Sequence, residues 1–293
     1  MIYENKVHIE GILSENGLEE KKIVINGTEK EVIAGDIKVK VIQPIDGVDT
    51  VLEIPVSVFA TKFTNAGKPN PAYESALKVK TEMNSIASVG EERADCVRIT
   101  GGTLRNNEFV DKNGNFVVST RVNASFINKI RKEDCEPKAT FTMTLVVKNG
   151  GFECDADGVE TSVYKLDAIV PQYQDYVDVI TLKAHNENVI NSLQNYWHKG
   201  DTVRASGKLN YSFKTEVKKI ETAFGEPQEE KHTISVHDLL ITGGSEPFED
   251  EQAFPISWVK DALAKRDERI EAKKHKEVKP KAPVMSATDD LGF

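Results

Sequence analysis

The sequence predicts a mainly β chain, made of two copies of one small barrel in tandem and a helical or unstructured C-terminal tail. Three observations carry that prediction. From Val7 to about residue 245 the texture is that of strands, rich in Val, Ile, Thr and Phe and punctuated by turn residues. The phrase Asp-x-Val-Arg-x-(Thr/Ser)-Gly occurs twice, as DCVRITG at 95–101 and DTVRASG at 201–207. A helix-like stretch stands directly before each copy.

Taken in order, the strand-like segments of the first half are VHIEGIL (7–13), DIKVKVI (36–42) and TVLEIPVSVFA (50–60). NPAYESALKVKTEMNSIASV (70–89) then places Tyr73, Leu77, Met83 and Ile86 near a 3.6-residue spacing, with Pro71 suited to a first helical turn. The first repeated phrase follows. DKNGNF (111–116) reads as a hairpin turn, and VSTRVNASFI (118–127) closes the unit. The second half repeats the plan. ATFTMTLVV (139–147) and DYVDVITLKA (175–184) precede the helix NENVINSLQNYWHKG (186–200). That helix would carry Val189, Ile190, Leu193, Tyr196 and Trp197 on one side and stop at Gly200. The second phrase and the closing strand HTISVHDLLI (232–241) come next. Turns are expected at Asn26-Gly27, Asp46-Gly47, Asn149-Gly150-Gly151 and Asp157-Gly158.

A helix between the third and fourth strands of a five-stranded antiparallel unit is the plan of the OB-fold, a Greek-key barrel. The expected organisation is one OB-fold over 1–135, a second over 136–245, and a linker, charged helix and acidic tip over 246–293. In each repeated phrase the Asp would turn the chain out of the helix, the Val would point to the core, and the Gly would relieve a barrel corner. Arg98 and Arg204, out of phase with the valines, would point outward, to a groove or to plain solvent.

Composition narrows the function. The net charge is −9, with 29% charged residues, yet phosphate contacts need only one locally basic groove. Cys96, Cys135 and Cys154 form no CxxC pair, and the six histidines form no HExxH. Phosphate-loop, dinucleotide and nucleophile-elbow signatures are lacking, so neither an enzyme nor a cofactor or metal site is expected. No apolar run approaches the roughly 18–20 residues a membrane span needs. A cytoplasmic location without membrane contact is therefore expected.

NYWHKGDTVRASGKL (195–209) resembles the helix end and fourth strand of bacterial single-stranded DNA-binding proteins. An aromatic residue, Lys-Gly, a small or acidic residue and Val-x-x-x-Gly-x-Leu recur there. VHIEGILSEN (7–16) is similar to that family's opening strand, and DDLGF (289–293) resembles its acidic tip. Departures from the pattern are few acids in the tip (Asp289 and Asp290), Gly292 where a proline is common, a linker poor in Gly and Gln, and long inserts at 61–93 and 148–172. The resemblance implies a divergent tandem member, phage-encoded or carried by a mobile element. It would coat single-stranded DNA in replication or recombination, and Asp289, Asp290, Leu291 and Phe293 would recruit partner enzymes. The alternative left open is an OB-based protein-interaction or virion structural module that touches no nucleic acid.

Sequence-tolerant binding of single strands needs aromatic faces for bases and cations along the backbone path. Candidates in the first half are Lys38 and Lys40 on one face of their strand, Phe59 and Phe63 around Lys62, the repeat's Arg98, and Arg105 and Arg121 at the hairpin. In the second half they are Tyr176, which follows Tyr173, then Lys183, Arg204, Lys208, Tyr211, Lys214 and Lys218. Alternation puts Tyr211 and Phe213 on the face of Leu209 and Val217, so both are also candidates for core. The C-terminal helix, 257–277, offers a thin apolar stripe from Trp258 to Ile270, so it would dock weakly or stay free.

Overall fold

The structure, a computed structural model, describes residues 3–111, 113–172, 176–220 and 228–276, and at 215–220, 228–232, 250 and 275–276 the backbone alone. The first barrel contains β1 (Asn5–Asn16), β2 (Glu19–Ile25), β3 (Thr28–Ile45), β4 (Val48–Thr61), β5 (Cys96–Val110), β6 (Phe116–Asn123) and the short β7 (Asn128–Ile130). Its circuit runs β1–β3–β4–β6–β5 and back to β1, antiparallel except for the β4–β6 step. Strand β2 is a flap on the first half of β3. The second barrel contains β8 (Lys138–Cys154), β9 (Glu160–Pro171), β10 (Val177–Ala184), β11 (Thr202–Ile220) and β12 (Gln228–Gly244). It closes in the same way, β8–β9–β10–β12–β11–β8, again with a single parallel step, β10–β12. Both circuits are OB-folds.

The helices sit where the spacing put them, with local corrections. Helix α1 (Pro71–Glu82) starts at Asn70, whose side chain accepts from the Ala72 N–H. It does not run on to Val89. Met83 is extended, and Ser85 opens a separate turn, α2 (Ile86–Val89), through hydrogen bonds with Ser88. The buried face of α1 is Tyr73, Ala76 and Val79. Helix α3 (Glu187–Tyr196) is capped by Asn186 and buries Ile190, Leu193 and, just beyond its end, Trp197. Tyr196 lies 61% exposed, off the apolar side. Asn149-Gly150-Gly151 is not a turn but part of β8, where Gly150 lets the Tyr164 hydroxyl approach; the chain turns at Asp155–Gly158.

The repeated phrase does the mechanical work expected of it. Asp95 accepts from the Asn84 N–H and Asp201 from the His198 N–H, each holding the loop before its strand. Val97 and Val203 are fully buried. The glycines require a correction. Strand β5 holds one extra residue against β1, because Ile99 lies opposite Ile9 but Gly102 lies opposite Val7. In the second barrel Gly207 lies opposite Phe141. The structural counterpart of Gly207 is therefore Gly102, while Gly101 sits exposed in the bulge.

One seam joins the barrels. Strands β1 and β8 pair antiparallel from Asn5↔Met143 to Glu10↔Lys138, which makes one continuous sheet. Each barrel also reaches over the other. From the first, Asn106 on β5 donates to the Val179 carbonyl, and the Gln43 side chain donates to the Leu209 and Ala139 carbonyls. From the second, Lys208 donates to the Pro44 carbonyl and the Tyr211 hydroxyl to the Thr120 carbonyl.

Helix α4 (Ile256–Lys276) is docked rather than free. Val259 and Ala262, with Phe254 before the helix, bury Val146, Ile169 and Val177 on the outer face of β8–β9–β10. Trp258 and Leu263 pack beside them. The stripe is thin, but it meets a strand surface that is itself apolar.

Candidate nucleic-acid interface

Docking of α4 divides the outer face of strands β9 and β10. One end, at Ile169 and Val177, lies under the helix. The other end is open and forms the floor of a groove of about 550 Å³ lined by Lys165, Val179, Thr181 and Lys183. Its walls are Val118–Thr120 of β6 from the first barrel, His237 and Asp238 of β12, Glu153 of β8, and Arg266 of α4. The groove is thus built from both barrels and the C-terminal helix.

Alternation along β9 and β10 places Lys165 and Lys183 on the same outer face, directly opposite each other in the ladder. Like charges in that relation repel and are held in place by neighbours. Lys183 lies 3.0 Å from Asp238 and 3.5 Å from Glu153;. Burial works against its ammonium, but these two carboxylates outweigh it and raise its pKa. At the hairpin end Arg105 and Arg121 face each other across β5 and β6. Arg105 reaches Asp178 at 3.5 Å, and Arg121 is exposed. Tyr176 is 42% exposed at the start of β10, and the Arg269 guanidinium of α4 lies 4.3 Å from its ring centre.

Tyr211 is corrected from candidate stacking residue to core. It is 3% exposed, its ring packs against His237, and burial pushes its phenol up to about 12. Phe213, on the same side of β11, is 61% exposed because the hairpin has by then run past the barrel. The repeated arginines also change role. Arg98 makes two hydrogen bonds, of 2.8 and 3.0 Å, to the buried carboxylate of Glu10, and Arg204 pairs with Glu4 at 3.0 Å. Both lie along the β1–β8 seam, away from the groove.

The remaining candidates of the first barrel lie on β3 and β4 or just beyond the end of β4. Phe59 and Phe63 are exposed there, but the lysines are matched by carboxylates: Lys38 by Glu15, Lys40 by Glu91 and Lys62 by Glu31. Lys208 is held by the Pro44 carbonyl, and Lys214 is exposed on the β11–β12 hairpin. The side chain of Lys218 lies outside the described residues, as do Tyr173, Asp289, Asp290, Leu291 and Phe293. Sequence reasoning missed Lys165, His237 and Arg266 in the groove. Lys165 had a signal in the alternation of SVYKLD (162–167), which points it outward beside Asp167.

A sequence profile described as YorF matches residues 4–276. The chain belongs to the YorF family. No curated protein matches its sequence. Among solved structures, this YorF-family chain is similar to the wild-type single-stranded DNA-binding protein of Thermus aquaticus, with 11% identity, a TM-score of 0.51, and coverage of 88% of this chain and 99% of that one. A deletion mutant of the same Thermus aquaticus protein gives 11% identity, a TM-score of 0.50 and coverage of 87% and 99%. At that identity the likeness is one of fold, the tandem OB arrangement described above. Among the described residues, no helix is long and apolar enough to cross a membrane.

Proposed function

We propose that this protein binds single-stranded DNA without catalysis, with the strand entering the inter-barrel groove. The observation that carries the reading is the open half of the β9–β10 face, floored by Lys165 and Lys183 and walled by Arg266. Strands two and three of an OB barrel are where this fold takes oligonucleotides. The fold likeness to proteins described as single-stranded DNA-binding supports the same reading. Exposed Tyr176, Phe59, Phe63 and Phe213 supply aromatic faces near lysines and arginines. Titration with fluorescent oligo-dT at two salt concentrations tests it. Binding should be tight at low salt, weaken as added salt makes counterion release less favourable, and greatly exceed binding to duplex of the same length. Equal affinity for duplex, or no binding at low salt, would overturn the proposal.

A role in replication or recombination, with partner enzymes recruited through Asp289, Asp290, Leu291 and Phe293, belongs to the same proposal. Deleting 285–293 should leave DNA affinity equal or slightly higher, most visibly at low salt, where electrostatic interactions reach furthest. The same deletion should abolish capture of partners in pull-downs. Loss of DNA binding with partners retained would make the tail part of the DNA site instead. The interaction-module alternative draws on one specific observation, the charge-matched lysines of the β3–β4 face. No detectable binding to the oligonucleotide at low salt would favour it.

A further inference from the structure

Helix α4 does more than cover an apolar patch. Three of its cations line one edge. Arg266, Arg269 and Lys273 follow i, i+3, i+7 spacing and so share one edge, which faces β10 and the β5–β6 hairpin. Asp267 and Glu271 point to solvent, 73% and 58% exposed;. The cationic edge begins inside the groove, where Arg266 forms part of the wall. It continues at Arg269, stacked over Tyr176, and ends at Lys273, which donates to the Glu108 carbonyl at 2.9 Å. Glu108 also takes Arg266 at 2.6 Å. Arg266 and Lys273 therefore share Glu108, with Asp267 also 3.8 Å from Arg266, while Arg269 between them lies over the Tyr176 ring.

We infer that α4 is a fixed wall of the single-strand path, and that its edge at Arg269 and Lys273 leads the strand from the β9–β10 floor onto the first barrel's hairpin. A guanidinium lying over a tyrosine ring offers a planar face for a base and a charge for a phosphate at one place. The lysine is a point charge one turn further along. The helix is a wall and not a lid because lifting it would expose Val146, Ile169 and Val177, now 2%, 3% and 0% exposed, along with Phe254. The inference rests on the proposed DNA binding and deepens it by adding an element outside both barrels to the site.

The test compares wild type with the double variant Arg269→Glu/Lys273→Glu, using oligo-dT of about 8 and about 30 nucleotides, lengths chosen from the usual site size of an OB-fold. Both side chains reach solvent, so the melting temperature should stay within a few degrees, which checks the fold. Affinity for the long oligonucleotide should fall about tenfold, and its log–log salt slope should become shallower by about 1.4, the loss of two phosphate contacts on a single strand. Affinity for the short one should fall less. If wild type binds and the variant binds with the same affinity and slope, α4 is not in the path. Tighter binding by the variant would also overturn the inference, since the edge would then be obstructing the groove. If wild type itself fails to bind, the proposed function falls and this inference with it.

Discussion

Replacing Glu10 by glutamine is expected to lower the melting temperature at neutral pH by about 4–8 °C, and by much less near pH 2. Glu10 is 1% exposed, and its carboxylate accepts two hydrogen bonds from Arg98 and one from the Glu136 N–H, with His8 at 3.4 Å. The Arg98 hydrogen bonds dominate. Burial opposes them but does not win, so the carboxyl is held at about 2, below its ordinary 4.5. A depressed carboxyl contributes stability above its unfolded-state pKa and loses it as pH falls toward the folded value. The penalty of the substitution should therefore be full above about pH 4.5 and fade between there and about 2. Removing one partner of a buried ion pair costs about 3–5 kcal/mol. The guanidinium here is 38% exposed, so about 2 kcal/mol is a fairer figure for Glu10→Gln. For a chain of this size that corresponds to the stated shift. Arg98→Ala should be worse than Glu10→Gln, because it strands a buried carboxylate. Thermal melts from pH 7 to pH 2 check both. A penalty that does not change with pH would show that the ion pair is not what Glu10 contributes.

The sequence left Arg98 open between a groove and plain solvent, and the structure gives it a buried carboxylate instead. The repeat was legible because its aspartates and valines do the same job twice, at a loop exit and in a core. Position in a strand also told correctly that Arg98 points away from the valines. It could not tell that β1, nearly ninety residues earlier, would present a carboxylate beside it. The lysines of the β3–β4 face show the same limit. Lys38 and Lys40 were legible as outward, but Glu15 and Glu91 became their neighbours only on folding.

The groove was partly legible for a related reason. OB topology fixes which strands form its floor, and the candidate Lys183 lies on one of them. Lys165 was available in the alternation of β9. The half of the same face hidden under α4 also left a trace. Ala168, Ile169, Val170 and Pro171 are all buried, a continuous run that marks a strand covered on both sides. Pairing that run with the stripe of α4 would have predicted docking. The contribution of Thr120 could not be read in this way, since it needs a hairpin from one barrel to lie across a strand of the other. The same cross-barrel contact explains Tyr211, whose parity with Phe213 hid a difference between a position inside the joint and one beyond it.

Gly207→Ala should be the most damaging single methyl addition in the repeated phrase, while Gly101→Ala, its counterpart by sequence spacing, should be harmless. A Cβ at Gly207 would lie 2.0 Å from the Leu240 carbonyl oxygen and 2.5 Å from the Phe141 ring. Neither neighbour is free to move. Leu240 is backbone in β12, held by β11 on one side and by the parallel contact to Lys183 on the other. Phe141 is 2% exposed and stands opposite Val7 at the seam. Overpacking typically costs about 1–3 kcal/mol where side chains can adjust, and a backbone collision on one side with a buried ring on the other should reach or exceed about 3 kcal/mol. Gly101 meets nothing within 4 Å, because the extra residue of the β5 bulge carries it outward. There the loss of chain freedom in the unfolded state should leave the alanine variant neutral or slightly stabilised, within about 0.5 kcal/mol. Gly102→Ala supplies the graded case, since its Cβ would stop 3.2 Å from that of Val7, a smaller side chain than Phe141. Melting temperatures should rank Gly101→Ala above Gly102→Ala above Gly207→Ala. If Gly207→Ala yields no folded protein, the order of the other two still decides. A larger loss at Gly101 than at Gly102 would mean that the repeat keeps constant spacing through β5 and that the strand carries no bulge there.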